Sequence, residues 1–130
     1  LGCDSMLFFD GASHGKPHTA DVATAAWKAR RGRSGVLWTG HVLIDTVDGR
    51  HVDAACATTV HFARVTDAEI DAYVATGEPL RVAGAFTLDG RGAAFIDGIE
   101  GDHSNVVGLS LPTLRVLLGE FDLTIMDLWR

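Results

Sequence analysis

VLWTGHVLID (residues 36–45) and VDAACATTVHF (residues 52–62) stand on either side of Asp48-Gly49. An Asp-Gly pair between two runs rich in β-branched and aromatic residues predicts a β-hairpin, because both residues of a tight hairpin turn must tolerate positive φ. In the second run Val52, Ala54, Cys56, Thr58, Val60 and Phe62 fall on one side, with Asp53, Thr59 and His61 on the other. That alternation is the period of a half-buried strand, so one face of this hairpin must meet other parts of the chain.

Working outward, residues 1–9 read as a further apolar strand ended by the turn pair Asp10-Gly11. A helix is predicted from Thr19 as cap. Val22, Ala25, Ala26 and Ala29 form its inner face, and Lys28, Arg30 and Arg31 precede a terminating Gly32. After the hairpin, Thr66 and Glu69 have capping-box spacing. They open a short helix that turns Ile70, Tyr73 and Val74 inward and stops at Gly77. Residues 78–110 are glycine-rich. There Ala93-Ala94-Phe95-Ile96 reads as a strand, and the rest as loop that brings backbone close to something. A last helix begins near Leu111 with Pro112 in its first turn, buries Leu114, Leu117 and Leu118, and ends at Gly119. Residues 121–126 are expected to add a final strand. The order predicts an α/β fold, a mixed sheet flanked by helices.

At 130 residues the chain is expected to form a single domain. Seventeen acidic against eleven basic side chains give a net charge of −6, so nucleic acid and anionic membrane are repelled in general. A phosphate-bearing partner would need a local site. No apolar run approaches the ~18 residues of a membrane span, and Asp4 interrupts the opening run without a basic stretch before it, which argues against a signal peptide. A chain that starts inside a strand without Met reads as a piece of something longer. Cys3 and Cys56 read as small buried hydrophobes in a reducing compartment.

Several chemistries lack their residues. Histidines 14, 18, 41, 51, 61 and 103 give no zinc spacing with a third ligand, and there is no CxxC. Ser5 has no nucleophile elbow, and neither a Walker loop nor a dinucleotide fingerprint occurs. Two residues remain. Asp4 is a carboxylate among apolar neighbours, either bonded to backbone amides or holding Mg²⁺ and accepting a proton from water. Lys16 lies between Gly15 and Pro17, either solvated or set against a phosphate oxygen, and His14 and His18 bracket it.

These stretches resemble the Maf family of nucleoside triphosphate pyrophosphatases, which is related in fold to the inosine triphosphatases. GCDSMLFFDG…GKP is similar to the family's G-A-D-T-V-V…D-G…G-K-P, and GHVLI followed by ATTVHF is similar to its T-G-V-x-L hairpin and V-x-F strand. YVATGEPLRVAGAF…NVVGLSL is similar to Y-x-x-x-G-E-P-x-x-x-A-G-A-Y…N-V-V-G-L-P-L. The resemblance runs in order along essentially the whole chain.

It implies a cytoplasmic, dimeric enzyme that hydrolyses nucleoside triphosphates to monophosphate and pyrophosphate. Asp4 would be the catalytic acid, activating water for attack on the α-phosphate and touching Mg²⁺ or another divalent cation. Lys16 would neutralise phosphate charge, while Ser5, Glu78 and Asp89 would join the substrate site. Ser5 replaces the family's usual Thr beside the acid, and Arg81-Val82 stands where many members have Asp-Lys. Asp89 stands where members specific for dTTP and UTP carry Gln; a carboxylate only accepts hydrogen bonds, so their base preference does not carry over. The family's opening S-x-S-P-R-R segment has no counterpart in the sequence, which implies an N-terminally truncated domain. Two other roles stay open: a nucleotide-binding or regulatory protein linked to septum formation, and an inactive fragment.

Overall fold

A computed structural model describes residues 1–129. Its centre is the hairpin. Strands β3 (Ser34–Ile44) and β4 (His51–Phe62) pair antiparallel in unbroken register, from Ser34 opposite His61 to Ile44 opposite His51. The connection closes as Asp48 Oδ1 accepts from Arg50 N–H at 2.9 Å while Gly49 takes φ 76°, a left-handed conformation that glycine adopts without cost. Strand β1 (Gly2–Phe9) lies on the other side of β3, and β2 (Ala12–His14) extends the sheet past β1. Strand β5 (Ile96–Glu100) pairs with β4, giving the order β2-β1-β3-β4-β5.

An α/β fold with a sheet flanked by helices is therefore what forms. The strand directions differ from expectation: every pairing is antiparallel, where a mixed sheet is predicted. The inner face carries Leu7, Phe9, Leu37, Val60 and Phe62, all buried. Over it pack α1 (Ala20–Arg30), α2 (Asp67–Ala75), α3 (His103–Val107) and α4 (Leu111–Gly119). Phe8, Trp38 and Val42 project from the outer face and are exposed.

Local signals explain most boundaries. Thr19 caps α1, the Thr66–Glu69 capping box opens α2 with both of its hydrogen bonds present, and Ser110 caps α4 ahead of Pro112. Ile70, Tyr73 and Val74 are buried from α2, and Leu114, Leu117 and Leu118 from α4, as their spacing predicts.

Four expectations fail. The inner face of α1 is Ala23, Trp27 and Arg30, while Val22 is exposed. Burying the Trp27 indole removes far more apolar surface than an alanine face can, so it sets the helix rotation. Residues 91–95 form a 3-10 turn, and the strand begins at Ile96. Residues 121–126 make no strand; Asp122 adopts φ 57° and the chain enters a 3-10 turn at Ile125–Leu128. Cys3 is exposed and Cys56 half-buried, so neither is a core residue.

Trp27 organises the main core. It packs edge-on against Phe62, Tyr73 and Phe95 with centroids 5.4, 5.7 and 6.1 Å away, and its Nε1–H donates to Ala85 O at 2.7 Å. This ties α1 to α2, the sheet and the glycine-rich segment at once.

Candidate functional site

Asp4 is part of β1 itself, paired with Gly40 of β3, and is exposed. Strand β2 pairs only with Leu7–Phe9, so beside Asp4 that edge of β1 has no partner strand among the described residues. Ser5 N–H donates to Asp4 Oδ1 at 3.0 Å. No other hydrogen bond to this carboxylate forms among the described residues, so it is free to meet a ligand.

Ser5 points the opposite way, into the inner layer. Its hydroxyl lies 2.7 Å from that of Thr39, which donates to Asn105 O at 3.1 Å. Thr39 has one hydroxyl proton and gives it to Asn105, so Ser5 is the donor in the first bond. Asn105 is fully buried, and its side-chain amide donates to Cys56 O at 3.0 Å and to Thr58 Oγ1 at 3.1 Å. A polar chain therefore runs from β1 through β3 to the short helix α3.

Lys16 sits on the loop between β2 and α1. Two backbone bonds fix that loop: Gly84 N–H donates to Gly15 O at 3.2 Å, and His18 N–H donates to Leu80 O at 3.0 Å. His18 holds φ 64° to make the turn. The lysine is thus presented by a braced loop, with its side chain exposed.

Asp4, Ser5, Lys16, Arg81 and Asp89 line one cavity of about 270 Å³, whose far wall is Val106–Gly108. The wall is positioned by α3, which Asp102 caps and Gly108 ends at φ 130°. Burial would raise the Asp102 pKa, but hydroxyl bonds from Ser110 and Ser104 and the Ser104 amide outweigh it and hold the carboxyl low. Asp4 also borders a wider hollow of about 570 Å³ across β1, β3 and β4, with no lysine or arginine in its lining. Phosphate chemistry needs cations, so the smaller cavity is the candidate site.

Glu78 is not in that lining. Its carboxylate accepts from Arg91 N–H at 3.0 Å and Gly92 N–H at 3.1 Å. Desolvation would raise its pKa, but these amides outweigh that and hold it below the usual carboxylate range. Gly90 and Gly92 allow the contact, since a Cβ at Gly90 would lie 2.1 Å from Glu78 Oε1 and one at Gly92 2.4 Å from Tyr73 Oη. The acid acts as a clasp for the glycine-rich segment.

Two features of the site escape sequence reasoning. The Val106–Gly108 wall depends on α3, although Asp102 and Gly108 are its ordinary start and stop residues. Asn105 beneath the wall had only its place in the NVVG stretch to mark it. Among the described residues no three His, Cys, Asp or Glu side chains gather as a metal-ion site.

The helix-flanked sheet thus brings an exposed carboxylate and a loop-held lysine to one cavity. The family comparison gives it a place: the Maf-like protein family matches residues 1–121, and the chain belongs to that family. It is 62% identical over 129 residues to a nucleoside triphosphate pyrophosphatase of Streptomyces coelicolor, covering 99% of this chain and 63% of the relative. A protein of the same name from Gloeothece citriformis is 52% identical over 130 residues, all of this chain and 66% of the relative. A nucleoside triphosphate pyrophosphatase/Nudix hydrolase fusion protein of Bifidobacterium longum is 54% identical over 129 residues, 27% of its own length. The chain spans just under two thirds of the length of the Streptomyces relative.

Proposed function

We propose that the protein is a nucleoside triphosphate pyrophosphatase, cleaving its substrate to nucleoside monophosphate and pyrophosphate. The observation that carries this reading is that Asp4 and Lys16 share one cavity. The names of the relatives point the same way.

In the proposed reaction a water oxygen bonds to the α-phosphorus, and the bond from that phosphorus to the bridging oxygen of the β-phosphate breaks. The electron pair leaves with pyrophosphate. Asp4 accepts the proton of the attacking water, a role open to it because among the described residues its carboxylate accepts only the neighbouring Ser5 amide. Lys16 offsets the negative charge gathering on the phosphate chain, the part that dominates phosphoryl-transfer catalysis. Arg81 lines the same cavity and adds a second cation, while Asp89 is placed to accept from the base or sugar. Ser5 and Glu78 act behind this layer, through Thr39 and through the Arg91 and Gly92 amides.

A divalent cation fits the donor set. Magnesium keeps several waters and takes one or two carboxylates plus substrate phosphates, so it needs no cage of three protein ligands. Asp4 is the carboxylate that would hold it, and it would supply charge neutralisation on the phosphate oxygens. The same reading treats residues 1–130 as one partial domain of a cytoplasmic, homodimeric enzyme. No helix among the described residues is long and apolar enough to cross a membrane.

The test is turnover of a panel of nucleoside triphosphates with Mg²⁺ in ¹⁸O-labelled water. Pyrophosphate release with the label in the monophosphate is expected. Nucleotide binding by calorimetry without release from any member of the panel would replace this reading with a non-catalytic nucleotide-binding role.

A further inference from the structure

Arg30 ends α1, one of the three basic residues that precede Gly32. It is buried, with 2% of its surface exposed. Its Nη1–H donates to Gly84 O, and its guanidinium carbon lies 5.8 Å from the Phe9 ring centroid and 6.0 Å from that of Phe62. Nε–H meets no acceptor among the described residues. No carboxylate pairs with Arg30 among the described residues, although Arg31, Arg33 and Arg50 each find one. Burial alone draws its pKa down to about 10. A buried cation without a counter-charge is costly, and ring faces and one carbonyl offset only part of that cost.

The surroundings supply the complement. Arg30 lines a cavity of about 230 Å³ between the Lys16 loop and α1, together with His14, Lys16, Pro17, Ala26 and Ala85. Three basic residues and no acid line it, in a chain whose net charge is −6. The pocket is braced as well: Gly84 accepts from Arg30 and donates to Gly15 beside Lys16, so the buried arginine and the lysine loop are one connected unit.

We propose that this cavity binds a phosphate-class oxyanion, with Arg30 as the buried anchor and His14 and Lys16 as donors at its rim. The site does not use Asp4, and it shares Lys16 with the cavity of the proposed reaction. The oxyanion has two possible sources, free phosphate or pyrophosphate, and the far end of a nucleotide's phosphate chain reaching past Lys16. Charge-assisted hydrogen bonds from a guanidinium and an ammonium suit either.

The experiment follows the methyl resonances of Val22, Ala26 and Ala85 while inorganic phosphate is added, with chloride holding ionic strength constant. Saturable shifts at these methyls are expected in the unaltered protein and equally in Asp4→Asn. In Arg30→Met, whose side chain suits the apolar surroundings, the apparent affinity is expected to fall at least about tenfold, the effect of one charge-assisted bond. A nucleoside triphosphate in place of phosphate separates the sources: shifts only with nucleotide assign the site to the phosphate chain, and shifts with phosphate alone assign it to the free ion. Absence of saturable shifts with either overturns the proposal, and this outcome needs no variant. Shifts that chloride alone reproduces, that Arg30→Met leaves unchanged, or that vanish in Asp4→Asn overturn it too. Because binding is read without turnover, an inactive protein that still binds phosphate here would refute the proposed reaction and leave this site standing.

Discussion

Glu78 and Asp4 lie in two regions that use a carboxylate in opposite ways. Around Glu78 every contact is internal: two backbone amides donate to it, two glycines make room for it, and α2 and the Trp27 core support it from behind. Around Asp4, among the described residues, the strand edge has no partner, the residue opposite is a glycine, and the carboxylate accepts from its neighbour's amide alone. An acid whose two oxygens each accept a backbone amide has less capacity left for a ligand than one held by strand geometry that accepts a single amide. The first region should therefore respond to mutation in stability, and the second in chemistry.

The largest stability effect is expected at the support of the Glu78 region. Trp27→Ala removes three edge-on ring contacts and the bond to Ala85, so a loss of about 3–5 kcal/mol is expected in chemical denaturation. A loss below about 1 kcal/mol would mean that the glycine-rich segment is not anchored through this indole.

Gly92→Ala comes next. Its Cβ would meet Tyr73 Oη at 2.4 Å and the Thr87 backbone O and N at 2.7 and 2.8 Å. Backbone on two sides cannot yield cheaply, so about 1–3 kcal/mol is expected in the same measurement.

Glu78→Gln sharpens the comparison through pH. A carboxyl held below its ordinary pKa contributes stability that is present above the unfolded-state value and is lost as pH falls through the folded-state value. The variant is expected to be weaker than the parent by about 1–2 kcal/mol at neutral pH. The gap should close as pH falls through and below the ordinary glutamate range. A variant of unchanged stability but raised KM would break the comparison, since Glu78 would then be touching substrate. Asp4→Asn should show the smallest effect of all on folding, an unchanged thermal midpoint.

Legibility follows the same division. The hairpin, α2 and α4 could be read because turn chemistry, capping residues and apolar spacing agree with one another over Asp48-Gly49, Thr66–Glu69 and Leu114–Leu118. The face of α1 could not, because the alanine stripe has the right period while Trp27 and Arg30 lie on a different one; tertiary packing chose between two acceptable periodicities. Residues 91–95 resemble a strand in composition, yet the Glu78 clasp draws the Arg91 and Gly92 amides inward and bends them into a 3-10 turn. That contact spans 13 positions in sequence, so no local pattern records it. At the site, Asp4 and Lys16 stand out from their own sequence surroundings and Asp89 only through the family resemblance, and the structure brings the three to one cavity. The wall at Val106–Gly108 and the buried Asn105 became visible only once the sheet placed α3 over β3 and β4.

The account rests on the Asp4 carboxylate as the group that receives the proton of the attacking water. The most direct measurement is kcat for pyrophosphate release by Asp4→Asn beside the parent, at saturating nucleotide and Mg²⁺. An asparagine cannot take up the proton, so a fall of about 10²–10⁴-fold is predicted while the fold is retained. A variant that turns over at the parent's rate would contradict the claim.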